Sequence, residues 1–130
     1  MAYYLDTSAF LKLVVTERET AALRSWIAAS NSQFVASDLL RTEALRAARR
    51  HSPEALLQAR TVMEALVLMP LMTDLCERAA DLDPSILRTL DALHLASALA
   101  LGDDLEGVIT YDDRLKAACA AHGVRVASPD

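Results

Sequence analysis

Four acidic residues lie at positions where their carboxylates could act together. Asp6 directly follows the apolar run Ala-Tyr-Tyr-Leu, and Asp112 follows Gly-Val-Ile-Thr-Tyr in the same way. Glu43 and Asp91 fall in stretches with helical spacing. Clustered carboxylates without partnering Cys or His residues select hard cations such as Mg²⁺ or Mn²⁺. Because these ions bridge to phosphate oxygens, the four acids predict chemistry on a phosphodiester.

Three of these acids also have a structural explanation that the sequence leaves open. Asp6 precedes Thr7-Ser8 and Asp112 precedes Asp113, so both can cap a helix. Asp91, at the first turn of an apolar helix, can simply complement the helix dipole. The pattern favours Asp112 over its neighbour Asp113 as the fourth acid without excluding the neighbour.

Glu43 is more informative because of the helix face that it occupies. Leu39 and Leu40 precede it by four and three residues and Ala47 follows by four, which puts its carboxylate on the apolar stripe. The local alternative is an ion pair with Arg46, three residues further along.

Short strands alternating with helices must position these acids. Apolar and β-branched runs predict strands at 2–5, 33–36, 66–71, 107–111 and 124–127. Apolar spacings of three and four predict helices near 8–15, 17–30, 38–51, 53–65, 74–82, 90–101 and 113–122. This order predicts an α/β fold, with a mostly parallel sheet covered on both faces by right-handed crossovers. Ligands of such folds bind beyond the carboxyl ends of the strands.

Local signals mark several boundaries of these elements. Thr16 with Glu19 is typical of a capping box, and Ser52-Pro53 of a helix N-cap followed by proline. Gly102 and Gly123 are expected to end helices. The two cysteines, Cys76 and Cys119, are too few for a disulfide framework, and we expect both to be small buried residues on helices.

Length and composition predict one domain over residues 1–130. Apolar residues make up 53% of the chain and charged residues 24%, which excludes disordered and low-complexity classes. The longest apolar run, 65–72, is far shorter than the roughly 20 residues of a membrane helix. The first fifteen residues lack a basic start and contain Asp6, which argues against a secretory signal. We therefore expect a cytoplasmic protein that makes no contact with the membrane.

The formal net charge of −5 argues against a protein that grips nucleic acid by charge alone. Two divalent ions at the four acids would change this charge to −1, so acidity and a polyanionic substrate are compatible. Eleven of the thirteen cations are arginine, whose planar fork suits phosphate and carboxylate.

The chain resembles the PIN domain, and specifically the VapC toxins of bacterial type II toxin–antitoxin systems. The resemblance lies in the segments YLDTSAFLKL, SDLLRTEALRAARR, LRTLDALHLASAL and VITYDDRL, and it runs from about residue 2 to 126. It implies a three-layer α/β/α sandwich and an endoribonuclease that depends on Mg²⁺ or Mn²⁺. It also implies inhibition by a VapB-like antitoxin, and we expect a homodimer. By position, the family's acidic cluster corresponds to Asp6, Glu43, Asp91 and Asp112, and Thr110 to its hydroxyl residue.

Other polar residues have two interpretations each. His94, three residues after Asp91, could contact a metal ligand or act as a general acid, although a satisfied core histidine is favoured. Arg46, Arg49 and Arg50 could hold RNA phosphates or an acidic segment of a partner, or could form a solvated helix end.

Two rival functions fit parts of the pattern. A phosphatase with Asp6 as nucleophile would need a second Asp two residues on, where Ser8 stands. A PIN-like binding module without catalysis would use the acids only as helix caps, and the presence of all four acids argues against it.

Overall fold

The computed structural model describes residues 1–130 and contains five strands, seven α-helices and one short 3₁₀ helix. The strands are β1 (Ala2–Leu5), β2 (Gln33–Ser37), β3 (Val67–Met69), β4 (Leu105–Ile109) and β5 (Val126–Ala127). The helices are α1 (Thr7–Lys12), α2 (Thr20–Ala29), α3 (Asp38–His51), α4 (Pro53–Glu64), α5 (Thr73–Ala80), α6 (Thr89–Leu99) and α7 (Asp113–Ala121). Every strand and α-helix predicted from the sequence is present, whereas the 3₁₀ helix Gly102–Asp104 was not predicted.

The five strands form one parallel sheet in the order β3-β2-β1-β4-β5. β1 lies in the centre, and its last residue, Leu5, is paired with Ile109 at the end of β4. The residues that follow these two strands, Asp6 and Thr110, therefore lie side by side at the carboxyl edge of the sheet.

Helices cover both faces of the sheet, which confirms the predicted α/β/α sandwich. Leu5 and Ile109 point to one face, where they pack in a buried cluster with residues of α1 to α4. Tyr4 and Val108, one residue earlier on each strand, point to the other face and pack with α6 and α7. This alternation follows from the period of two along a strand. No helix is long and apolar enough to cross a membrane.

Some of the predicted local signals are confirmed and others are wrong. The Ser52 hydroxyl caps α4 by accepting from the Ala55 amide, and Gly123, with a φ of 69°, directly follows the C-cap residue of α7. Gly102, with a φ of 57°, does not end α6 directly, because α6 ends at Leu99 and Gly102 begins the 3₁₀ helix. The predicted capping box is wrong, because α2 begins only at Thr20 and the Glu19 carboxylate binds Lys12 Nζ at 2.9 Å. Cys119 is buried as expected, but Cys76 is exposed.

The last residues of the chain lie against the end of β4. Ala127 O accepts from the Thr110 amide at 3.2 Å, and Ser128 Oγ donates to Thr110 O at 2.6 Å. The Tyr111 hydroxyl donates to Pro129 O. Gly107 permits the close approach of this segment, since a Cβ there would lie 2.9 Å from the carbonyl oxygen of Arg125.

Candidate active site

A single cavity of about 270 Å³ at the carboxyl edge of the sheet brings all four predicted acids together. Asp6 lies between β1 and α1, and Asp112 lies between β4 and α7. Glu43 comes from α3 and Asp91 from the first turn of α6. We call this cavity the acid cavity; its other lining residues include Thr7, Ser8, His94, Arg88 and Arg114.

The Asp6 carboxylate is buried and held by three hydrogen bonds. Oδ1 accepts from Ser8 Oγ at 2.7 Å and from the Ala9 amide at 3.0 Å, while Oδ2 accepts from Thr110 Oγ1 at 2.6 Å. Burial nevertheless raises the pKa of Asp6, because the loss of solvent outweighs these hydrogen bonds. Asp6 is thus the N-cap of α1 and also lines the acid cavity, so its capping role does not exclude a functional role.

Thr110 connects two of the four acids. Besides donating to Asp6, its fully buried hydroxyl accepts from the Asp112 amide at 3.0 Å. The hydroxyl therefore fixes the Asp6 carboxylate relative to the turn that carries Asp112. This is the position at which the family resemblance predicted a hydroxyl residue.

Glu43 is bonded to residues of other elements and not to Arg46. Its Oε1 accepts from Thr7 Oγ1 at 2.6 Å and lies 2.9 Å from His94 Nε2. Burial opposes ionisation of this carboxylate, but the hydrogen bonds from His94 and Thr7 outweigh it and lower the pKa of Glu43. The ion pair with Arg46, which the sequence left open as the local alternative, does not form.

His94 is buried and satisfied at both ring nitrogens. Nδ1 lies 2.8 Å from the Tyr4 hydroxyl, which is also 3.1 Å from Ser37 Oγ. Burial raises the pKa of the Tyr4 phenol, so Tyr4 remains a neutral partner. The favoured interpretation of a satisfied core histidine is correct, and the same ring also orients the Glu43 carboxylate.

Asp91 and Asp112 also line the acid cavity, and their carboxylates accept few hydrogen bonds. Asp91 is 8% exposed, and no hydrogen-bond donor contacts its carboxylate. Burial raises its pKa, and the nearby Asp112 charge raises it further. Asp112 Oδ1 accepts from the Arg114 amide at 2.9 Å. The side chain of Asp113 is 97% exposed and does not line the acid cavity.

Sequence reasoning did not identify Arg88 and Arg114 as site residues. Both line the acid cavity, and neither forms an ion pair with a carboxylate within 4.0 Å. Their charges lower the pKa of Asp91 in opposition to burial and to Asp112. The available signal was their spacing, since Arg88 lies three residues before Asp91 and Arg114 two residues after Asp112.

The donor atoms of the acid cavity suit a hard divalent cation. Asp91 has two carboxylate oxygens without a donor, and Glu43 and Asp112 have one each. The side chains as they stand contain no group of three or more His, Cys, Asp or Glu residues that could hold a metal ion. Mg²⁺ needs fewer protein ligands than that, because it keeps several waters and binds through one or two carboxylates together with substrate phosphates.

Comparison with known proteins identifies related ribonucleases. Ribonuclease VapC47 of Mycobacterium tuberculosis is 38% identical over 130 residues, an alignment that covers 97% of this chain and 96% of the relative. Ribonuclease VapC46 of the same species is 40% identical over 128 residues, with 98% of each chain covered.

Solved structures show the same fold at low sequence identity. VapC20 of M. tuberculosis, described as a sarcin-ricin loop cleaving toxin, superposes with a TM-score of 0.78 at 18% identity and covers 99% of this chain and 100% of its own. A toxin–antitoxin complex from Klebsiella pneumoniae gives a TM-score of 0.74 at 21% identity, with 98% of each chain covered.

The family model described as the PIN domain matches residues 3–121, from the middle of β1 to the end of α7. This range contains all four acids of the acid cavity and Thr110 between them. The match to the family model and the two ribonuclease relatives agree with each other, and the chain belongs to the PIN domain family.

Proposed function

We propose that this chain is a metal-dependent endoribonuclease of the VapC type, which hydrolyses phosphodiester bonds in RNA. The observation that carries the proposal is the acid cavity, in which carboxylates from four separate elements meet at the carboxyl edge of a parallel sheet. The kinship with proteins named ribonuclease VapC supports the same activity.

Asp6, Glu43, Asp91 and Asp112 would hold one or two Mg²⁺ or Mn²⁺ ions. Such an ion supplies neutralisation of phosphate charge and lowers the pKa of a water that can act as nucleophile. Asp6 and Asp91 are the proposed primary ligands, and Glu43 and Asp112 act directly or through water. Two buried acids with raised pKa values favour a cation beside them, because its charge offsets the cost of ionising each carboxylate.

The chain's own side chains perform the remaining tasks. Thr7 and His94 hold the Glu43 carboxylate in a fixed orientation, from which its free oxygen can accept a proton from water. Arg88 and Arg114 place two cations on the rim of the acid cavity, where they can bind the non-bridging oxygens of the phosphate. Ser8 and Thr110 keep Asp6 rigid, so the reacting groups need little rearrangement.

We propose a VapB-like antitoxin as the protein partner, with a basic segment that enters the acid cavity. A cluster of carboxylates attracts an arginine side chain much as it attracts a metal ion. The structural kinship with a chain from a toxin–antitoxin complex is consistent with such a partner. Copurification with the product of an adjacent gene that nevertheless leaves RNA cleavage unchanged would contradict this assignment.

We also propose a cytoplasmic homodimer. Ile86, just before α6, is 88% exposed, and Leu90 in α6 is 49% exposed, so a second copy could cover apolar surface at this end of the molecule. Light scattering of the purified protein measures the mass directly, and a monomer at micromolar concentration would contradict the dimer.

The decisive test of the nuclease proposal is cleavage of RNA by purified protein with Mg²⁺, with Mn²⁺ and with a chelator. Asp91→Asn should lower the rate by more than about 100-fold, because it removes a ligand charge with almost no change in volume. Asp113→Asn is the matched control, since it is also an aspartate near the acid cavity but its side chain points to solvent. Equal rates for both variants would overturn the metal assignment.

Glu43→Gln tests whether Glu43, which is proposed to bind the metal ion directly or through water, belongs to the metal site. If Glu43 holds a metal ion or an ordered water, the change should weaken Mn²⁺ affinity or activity by roughly 10- to 100-fold. Calorimetric titration with Mn²⁺ measures the affinity without any RNA. Unchanged affinity together with an unchanged cleavage rate would place Glu43 outside the metal site.

A further inference from the structure

A second polar cavity, of about 590 Å³, lies between α3 and α4. Four of its lining residues are arginines, and none is acidic. We call this cavity the arginine cleft; it is lined by Leu45, Arg46, Arg49 and Arg50 of α3 and by Leu56 and Arg60 of α4.

The arginines of this cleft have no carboxylate partners. The ion pairs of the protein involve Lys12, Arg18, Arg41, His94 and Lys116, and none of the cleft arginines. Four like charges therefore surround one cavity in a chain whose net charge is −5. Such an arrangement raises the local positive potential and attracts an anion.

The cleft and the acid cavity share one helix. Glu43, Arg46 and Arg50 are spaced i, i+3 and i+7 along α3, which places them on one face. At a rise of about 1.5 Å per residue, the two arginines lie about 4.5 Å and 10.5 Å further along the helix axis than Glu43. A linear polyanion in the acid cavity could therefore extend along α3 into the cleft.

We infer that the arginine cleft binds backbone phosphates of the RNA strand whose scissile bond lies in the acid cavity, an inference that rests on the proposed function. Arginine forks match phosphate oxygens in geometry and charge, and such contacts position a strand without reading its sequence. An acidic protein segment is the rival occupant. RNA is favoured because the proposed substrate of the acid cavity is itself an RNA strand, and the cleft lies further along the helix that carries Glu43 of that cavity.

RNA binding without cleavage isolates the contribution of the cleft. Fluorescence anisotropy with a labelled single-stranded RNA, in chelator and over a range of salt concentrations, gives both Kd and its salt dependence. Arg49→Gln/Arg50→Gln should weaken binding about tenfold or more per arginine. It should also reduce the slope of log Kd against log salt by about 0.7 per lost phosphate contact.

The matched control is Arg24→Gln/Arg78→Gln, which removes two exposed arginines on α2 and α5 and changes the net charge equally. This control should leave the affinity within a factor of two or so. Thermal denaturation of both double variants verifies that each is folded, and the salt slope responds to phosphate contacts and not to a structural role.

Two further measurements separate failure of this inference from failure of the nuclease proposal. With metal present, the cleft variant should raise KM for a long RNA while a short RNA confined to the acid cavity is cleaved as by wild type. If the protein binds RNA through the cleft but cleaves no RNA, the nuclease proposal fails, whereas the inference that the cleft binds RNA phosphates stands. Equal salt slopes for the cleft variant and wild type, or binding of poly-glutamate but not of RNA, would overturn the inference.

Discussion

The two sides of the acid cavity differ in how their carboxylates are held. Asp6 and Glu43, the bonded pair, each accept at least two hydrogen bonds from side chains or the backbone. Asp91 and Asp112, the open pair, together accept one, from the Arg114 amide. The bonded pair is therefore fixed in position before any ligand binds. In the open pair, the two negative charges repel each other and few donors offset that repulsion.

For the proposed metal site, this difference would assign the positioning of the ligands and the affinity for the metal to different residues. The bonded pair can hold ligands at defined points because its donors come from α1, α6 and the end of β4. The open pair supplies free oxygens whose mutual repulsion a cation relieves. We therefore expect changes in the open pair to act mainly through metal binding, and changes in the residues that hold the bonded pair, Thr7 and Thr110, to act mainly through the stability of the fold.

The largest expected effect is on stabilisation by metal. Mn²⁺ at roughly 100 times its Kd should stabilise wild type by about 2.7 kcal/mol, and a chelator should remove this gain. In Asp91→Asn/Asp112→Asn the gain should disappear. Denaturant unfolding with Mn²⁺ and with chelator measures it, with Asp74→Asn/Asp113→Asn as the control of equal charge. If Mn²⁺ stabilised the open-pair variant as much as wild type, the open pair would not be the source of metal affinity.

A somewhat smaller effect is expected from Thr110→Val, which keeps the shape of the side chain and removes its hydroxyl. Both Asp6 Oδ2 and the Asp112 amide then lose a buried partner, at a cost of about 1 to 3 kcal/mol of unfolding free energy. Urea denaturation measures the loss. Thr61→Val is the control, because the Thr61 hydroxyl is exposed and contacts only the Leu57 carbonyl. If Thr110→Val and Thr61→Val lower the free energy of unfolding equally, the Thr110 hydroxyl does not stabilise the site.

Thr7→Val should cost about 0.5 to 1.5 kcal/mol at neutral pH, since Glu43 loses a 2.6 Å hydrogen bond. The lowered pKa of Glu43 means that its ionisation stabilises the fold above the ordinary glutamate pKa. That contribution is lost as the pH falls through the lowered pKa, so variant and wild type should converge in acid. Unfolding measured across the acid range tests this convergence, and exposed Thr42→Val on α3 should show no such pH dependence.

The smallest expected effect has the opposite sign. The raised pKa of Asp91 means that its charge destabilises the metal-free fold as the pH rises through that pKa. Asp91→Asn should then stabilise the metal-free protein by roughly a few tenths of a kcal/mol at neutral pH, and by nothing in acid. Asp74, exposed in the first turn of α5, is the control, and Asp74→Asn should be slightly destabilising through the helix dipole. Destabilisation by both changes would show that Asp91 only supports its helix.

The fold could be predicted from the sequence because the local apolar patterns agree with the way the strands and helices pack in the structure. Apolar alternation places Tyr4 and Leu5 on opposite faces of β1, and both pack as that alternation requires. The turn before α2 was mispredicted because Lys12, four residues before Thr16 and outside the capping pattern, binds the Glu19 carboxylate. The exposure of Cys76 was missed because periodicity along a short helix does not determine which small residues face solvent.

The acids of the site were identifiable from their positions after strands and on apolar helix faces, but their partners were not. The Glu43 contacts to Thr7 and His94 span 36 and 51 residues, and no local spacing predicts them. Arg88 and Arg114 were missed for a related reason: a cation on a helix start is ordinarily solvated, and only the assembled cavity shows which carboxylates it faces.

Ser128 and Pro129 do not line the acid cavity, but they contact Thr110 and Tyr111. Through these contacts they affect the position of the Thr110 hydroxyl that holds Asp6. Trimming the chain after Ala127 would delete the hydrogen bonds to the Thr110 carbonyl and the Tyr111 hydroxyl, and would loosen the backbone that aims Thr110 at Asp6. Residues 128–129 thus stabilise, from outside the acid cavity, the edge of the sheet on which two of its carboxylates lie.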